Sequence, residues 1–179
     1  MEPVEINAGA YYLRQLRADD RLDDRPALIP AFADPEMRRY VPQYTIDTLE
    51  QAGEYVASRA AEWADGLRCS WAIAEPTSGR LLGEVGLKNL DLTAATGEVA
   101  VWVHSEARGK GVAATAVDAA VRFGVGALGL VQVDFMCDED NRASAALARH
   151  CGFELVGPTE SPAGVPSLLW EKKPDAQGR

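Results

Sequence analysis

The chain is poor in the residues that staple or metallate small proteins. It has 179 residues and three cysteines, Cys69, Cys137 and Cys151. The number is odd, the spacings are wide and no CxxC pair occurs, which excludes a disulfide framework and offers no zinc pattern. No metal is expected, and the setting expected is a reducing cytoplasm. No apolar run approaches the roughly 18 to 20 residues that span a bilayer. Residues 1–10 lack the basic-then-apolar order of a secretion signal, so neither a membrane nor export is expected. Positive charge is scarce as well: 18 Lys and Arg face 27 Asp and Glu, for a net charge of -9 and a pI near 4.7. Nucleic-acid binders need clustered cations to displace phosphate counterions, so nucleic acid is excluded as a partner. The deficit is uneven, since residues 1–65 carry 13 acidic against 7 basic side chains. Such a surface aids solubility and equally suits the steering of a cationic amine.

Internal repeats and low-complexity blocks are also missing. The length fits one domain over residues 1–179, with only the tail 172–179 (KKPDAQGR) disordered by composition. What is present is hydrophobic content of 47% in two successive periods. Residues 11–17 (YYLRQLR) read as a short first strand, followed by a helical stretch broken at Pro26, Pro30 and Pro35. Asp47 or Thr48 caps a longer helix through Ala64, in which Leu49, Ala52, Val56, Ala60 and Trp63 recur at spacings of three and four. From Cys69 the period becomes two. Residues 70–74 (SWAIA) and 81–90 (LLGEVGLKNL) form a hairpin around a PTSG turn. Residues 98–103 (EVAVWV) are the clearest strand, with Glu98, Ala100 and Trp102 on one face and the valines on the other. Residues 111–128 are helical by pattern, with a loose end expected because Gly124 and Gly126 each cost about 1 kcal/mol relative to Ala. A strand over 130–136, a helix over 141–151 closed by Gly152, a strand over 153–156 and a last strand over 167–171 complete the chain.

The segment Arg108-Gly109-Lys110-Gly111-Val112-Ala113 follows a strand and opens a helix. A helix start offers unpaired N–H groups and the positive end of the macrodipole, and glycines let the backbone approach a bound phosphate. A plain structural turn is one reading. A dinucleotide fingerprint is another, because Gly109, Gly111 and Ala114 nearly fit GxGxxG and Asp134 lies about 20 residues on, where a ribose-binding acid belongs. Against it, Asp134 sits inside a strand rather than at the end of one.

The third reading is a resemblance. Arg108, Gly111 and Ala113 meet the Q/R-x-x-G-x-G/A pattern of the acetyl-CoA loop of the GNAT superfamily. The surroundings resemble its RimJ/RimL-type branch over residues 11–171: DPEMRRYVP at 34–42, the hairpin at 71–91, EVAVWVHSEARGKG at 98–111, and Asn141, Ser144, Gly152 and Phe153 in an N-x-x-S...GF arrangement. The resemblance implies a single α/β (α+β) GNAT-type domain. Its mixed, mostly antiparallel sheet has about seven strands, splayed between the fourth and fifth and flanked by about four helices. It implies transfer of an acetyl group from acetyl-CoA, the co-substrate, directly to a primary amine on a small molecule or peptide, and it admits a homodimer.

It also implies roles. Trp102 and Val103 offer main-chain bonds to the pantetheine arm, residues Arg108 to Ala113 hold the pyrophosphate, and Asn141 lies near the arm while also capping its helix. An amine must lose a proton before attack. Glu98 is the first candidate base and Glu84 the second, each with the competing reading of a polar group on a wet sheet face. Many relatives carry a tyrosine as proton donor to the thiolate, at the position occupied here by Ala148. Ser144 or a water is left for that role. Met37, Tyr40 and Tyr44 are expected in the acceptor pocket, with Trp63 as a further aromatic. His104, His150 and Cys151 are read as local or core residues rather than catalysts. Two other functions stay open: a catalytically silent acyl-CoA-binding or regulatory module, and an NAD-binding oxidoreductase.

Overall fold

Alternating side chains after residue 69 need a partner surface on each face, and a sheet with helices on both sides supplies it. The computed structural model describes residues 1–174. Its strands are β1 (Ile6–Asn7), β2 (Tyr12–Arg14), β3 (Cys69–Ala74), β4 (Leu81–Asp91), β5 (Thr96–Val103), β6 (Gln132–Asp138), β7 (Glu154–Glu160) and β8 (Pro166–Lys172). They pair in the order β1-β2-β3-β4-β5-β6-β8-β7, and β5 with β6 is the single parallel pair among the described residues. This is the mixed, mostly antiparallel sheet expected. It has one strand more than the expected seven, since the N-terminal β1 pairs Ile6 with Leu13 at the edge. The antiparallel majority excludes a doubly wound dinucleotide fold. The fingerprint resemblance has a local cause, because β5, the following helix and β6 do form one parallel crossover unit.

The helices are α1 (Arg25–Ala33), α2 (Pro35–Tyr40), α3 (Leu49–Ala64), α4 (Val112–Ala127) and α5 (Arg142–His150). The proline-broken segment becomes two of them. Asp34 separates α1 from α2 and caps the latter, its Oδ1 accepting from the N–H groups of Glu36 and Met37 at 3.0 and 3.3 Å. Helix α3 starts at Thr48 in a capping box with Gln51. One core lies between the sheet and α4, where Val85, Leu87, Val99 and Val133 meet Val117 and Ala120. The other lies under α1 to α3, around Leu28, Phe32, Tyr55 and Val56. Strand β3 is buried at all six positions because both cores use it.

Two expectations are corrected here. The C-terminal end of α4 is not loose: a Cβ on Gly124 would lie 3.0 Å from both Leu87 Cδ1 and Leu130 Cδ1, so the glycine marks close packing onto β4. The expected disordered tail begins too early, since Lys172 ends β8 and donates to the Cys151 carbonyl at 2.6 Å. Residues 175–179 of that tail lie outside the described residues.

The feature that positions the site is where β5 and β6 part. They pair only from Thr96–Gln132 to Val99–Phe135. Beyond Val99, β5 stays with β4 as far as Val103, while β6 stays with β8 as far as Asp138. The gap is the expected splay, between β5 and β6 because β1 shifts the count by one.

Candidate active site

At the open end of this gap the chain leaves β5, makes a short turn over Ser105–Ala107 and enters α4 through two left-handed glycines, Gly109 at φ 71° and Gly111 at φ 76°. No atom lies within 4 Å of where a Cβ would stand on either glycine, so their backbone conformation and not crowding demands them. Gly111 is the N-cap of α4 and provides no side-chain cap. The first helical bond runs from the Thr115 N–H to the Gly111 carbonyl, leaving the N–H groups of Val112, Ala113 and Ala114 without helical acceptors. The first turn holds no acidic residue. These donors face a cavity of about 670 Å³ that also takes in Val101 to Val103, Asn141 and Ser144. Its size suits a cofactor or drug-sized ligand. An elongated molecule carrying an anionic group fits what the residues present: open backbone edge in the gap, unpaired N–H groups at the helix start.

The structure brings together most of the expected cofactor residues. Trp102, Val103, Arg108, Gly109, Gly111, Val112, Ala113, Asn141 and Ser144 all line the cavity. Asn141 also caps α5, its Oδ1 accepting from the Ser144 N–H at 3.0 Å. Lys110 is not in the lining; its Nζ donates to the Glu106 carbonyl at 2.8 Å and its own carbonyl accepts from Tyr11 at 3.2 Å. Arg108 is turned away from the helix start, toward Asp34 and Glu36. Of the residues expected in the acceptor pocket, Met37 and Tyr40 line the cavity. Tyr44 does not: it packs edge-on against Phe32 and Tyr55 and lies under the Arg59 guanidinium. Trp63 is fully buried against Trp71 and belongs to the core.

Neither candidate base lines the cavity. Glu84 is 1% exposed and its carboxylate is filled: it accepts from Tyr55, from Trp102 Nε1 at 3.2 Å and from Arg59 Nε at 3.1 Å. Glu98 sits before the strands part, paired to Lys88 Nζ at 2.8 Å and accepting from Asn89 at 2.9 Å. Asp138, which sequence reasoning did not single out, lies outside the cavity lining as well, but two residues before the lining residue Asp140. Continuing the Val99–Phe135 register places Asp138 level with Trp102 across the gap and on the same face. Burial and then the neighbouring Asp140 push its carboxyl above the ordinary range, partly opposed by Arg39. Its only signal in the sequence was an acidic residue closing a strand at the start of the run DED, and strand order was needed to read it.

Of the residues set aside, Cys151 is buried at the end of α5 and His104 is half-buried after β5. Burial pushes the Cys151 thiol up to about 11, which suits a core residue and not a nucleophile. Burial holds His104 below its usual range. His150, exposed at the end of α5, does touch the cavity, which helix periodicity alone did not indicate. No helix among the described residues is long and apolar enough to cross a membrane.

Comparison with known proteins matches residues 12–154 to the family model "Acetyltransferase (GNAT) domain". A relative, the uncharacterized N-acetyltransferase YoaA of Bacillus subtilis (strain 168), is 26% identical over 134 residues, covering 75% of this chain and 76% of its own. Among solved structures, the ribosomal-protein-S5-alanine acetyltransferase from Vibrio fischeri superposes with a TM-score of 0.81 at 18% identity, covering 98% of this chain and 100% of the other. RimL, a ribosomal L7/L12 alpha-N-protein acetyltransferase in complex with coenzyme A, superposes with a TM-score of 0.81 at 17% identity, covering 97% and 100%.

Proposed function

Because the chain belongs to the GNAT acetyltransferase family and is an acetyl-CoA-dependent acyltransferase, we propose that it acetylates a primary amine by direct transfer, as a RimJ/RimL-type member working in the cytoplasm. The observation that carries this reading is the meeting, in one cavity, of the open β5 edge with the unpaired N–H groups of α4. Bound acetyl-CoA supplies an activated acetyl thioester. The chain's own tasks are to hold and to move protons. The N–H groups of Val112 to Ala114, with the backbone of Gly109 to Gly111, face the pyrophosphate, and the edge from Val101 to Val103 receives the pantetheine arm. Ser144, half-buried in the cavity wall, donates the proton the leaving thiolate needs.

The proton released by the amine goes to a carboxylate on the acceptor face of the sheet, directly or through water. Asp138 and Glu98 flank the gap on that face. Asp138 is favoured because it stands at the open end beside the cavity residue Asp140, whereas both oxygens of Glu98 are already engaged. Asp138→Asn should lower turnover by roughly 10², the usual size of a general-base term, with the loss shrinking at high pH where free amine is abundant. Glu98→Gln should cost less than about tenfold. The reverse ranking in the two pH–rate profiles would return the role to Glu98.

The amine class is approached through the ribosomal-protein acetyltransferases that share the fold, which makes peptide N-termini the first acceptors to try. The test is acetyl-CoA consumption against a panel of peptide N-termini, lysine, polyamines and antibiotic amines, beside calorimetry with CoA. Gly111→Asp should abolish CoA binding, because it puts a carboxylate at the anion-facing helix start. Tight CoA binding with no turnover of any amine would make the chain a silent module instead.

A further inference from the structure

We propose that Arg108 is a positioning residue: its guanidinium ties the cofactor loop to α2, so that the wall formed by Met37 and Tyr40 is set by the same loop that receives the cofactor, and it is not itself a phosphate ligand. The inference rests on that loop being the CoA loop. Three nitrogens of the fork are already engaged. Nη2 lies 2.9 Å from Asp34 Oδ1, Nη1 lies 2.7 Å from Glu36 Oε2, and Nε donates to the Val103 carbonyl at 3.2 Å. Two carboxylates against one guanidinium leave no surplus positive charge to attract an anion. The attraction for phosphate must then come from the backbone of the helix start, which is free.

The partner of Arg108 is itself structural. Asp34 Oδ1 accepts from Arg108 while capping α2 through the Glu36 and Met37 N–H groups. Helix α2 has six residues, too few to hold itself in place, because so short a helix gains few bonds against its nucleation cost. It is fixed from outside at both ends: by Arg108 at its start, and by an ion pair from Arg39 to Asp140, just before α5. It therefore crosses the cavity as a strap between the loop before α4 and the turn before α5. Met37, 5% exposed, and Tyr40 hang from that strap into the cavity.

Two variants separate the roles. Arg108→Ala removes the tie, and Asp34→Asn removes the charge while keeping a residue that caps well. If Arg108 positions α2, each variant should speed hydrogen exchange of the α2 amides by roughly three- to tenfold, the double variant no further, and CoA affinity by calorimetry should weaken at most about threefold. If Arg108 binds phosphate, Arg108→Ala should weaken CoA by about tenfold or more, and Asp34→Asn, by releasing the guanidinium, should tighten it. Either of those changes in CoA affinity overturns the proposal whatever exchange does, as does unchanged α2 exchange in both variants. Should Arg108→Ala fail to fold, Asp34→Asn decides alone, because the two roles give opposite results for it. A parent protein that bound no CoA would sink the proposed function, while the exchange measurement would still report whether Arg108 holds α2.

Discussion

Glu84 and Glu98 lie on the same face of neighbouring strands, and their partners separate them in a way their letters do not. Glu84 stands opposite Trp102 in register, and its carboxylate joins α3 to the sheet through Tyr55 and Arg59. It fixes the indole that lines the cavity. Glu84→Gln removes one of the two carboxylates on the Arg59 guanidinium, 4% exposed, leaving Glu62 at 2.7 Å, and should destabilise the fold by about 1.5 to 3 kcal/mol in a denaturant titration. A loss under about 1 kcal/mol would mean the hub is replaceable. His104 allows a second prediction at this scale. Its buried Nε2 has no hydrogen-bond partner among the described residues, and burial holds its pKa below the ordinary 6.5. The unfolded chain then binds the proton more readily, so stability falls as pH drops from about 6.5 toward the lower folded value. His104→Asn, which cannot titrate, should flatten the Tm slope between about pH 7.5 and 5.5. An unchanged slope would place the acid sensitivity in the carboxylates.

At the scale of elements, α4 carries a contrast its sequence hides. Gly124 and Gly126 are equivalent as helix breakers, yet a Cβ at Gly124 meets two leucines at 3.0 Å while one at Gly126 meets nothing within 4 Å. Gly126→Ala should stabilise by up to about 1 kcal/mol, through helix propensity and a less flexible unfolded chain. Gly124→Ala should destabilise despite the same propensity gain, because α4 would have to lift from Leu87 and Leu130. Equal effects in thermal melts would show that α4 floats on the sheet. The same contrast explains what was legible beforehand. Periodicity marked α3, its cap at Thr48, and the run EVAVWV, because those signals are local. It did not distinguish the two glycines, place Tyr44 among Phe32 and Tyr55, or find Asp138, because each depends on which distant element lies opposite. The proposed cofactor loop drew attention because its features are local too: two left-handed glycines and a helix start within one stretch of chain. Arg108 shows the limit of a pattern, which located the residue but not the direction of its side chain.

At the scale of the whole molecule, the acidic excess is partly organised by the sheet. Glu98 stands opposite Asp134, Asp134 opposite Glu171, and Glu171 opposite Glu154. Four carboxylates thus cross four adjacent strands on one rung. Lys88 engages Glu98 at 2.8 Å and Lys173 engages Glu171 at 2.9 Å, while Asp134 accepts only from the neutral Gln132 amide among the described residues. Like charges directly opposite one another on paired strands are destabilising, and the net charge of -9 adds a general repulsion. Both effects are screened by salt, since the Debye length falls from about 10 Å at 0.1 M to about 3 Å at 1 M. The folded chain at neutral pH should therefore melt at a higher temperature as potassium chloride is raised through that range. Glu154→Lys tests how much of the response belongs to the rung, because it places an ammonium opposite Glu171 at the outermost strand. It should raise stability by roughly 0.2 to 1 kcal/mol at low salt, the usual worth of an opposite-charge cross-strand pair, and the gain should shrink as salt is added. A variant that gained nothing and kept the full salt response would assign the repulsion to the overall charge and leave the rung without effect.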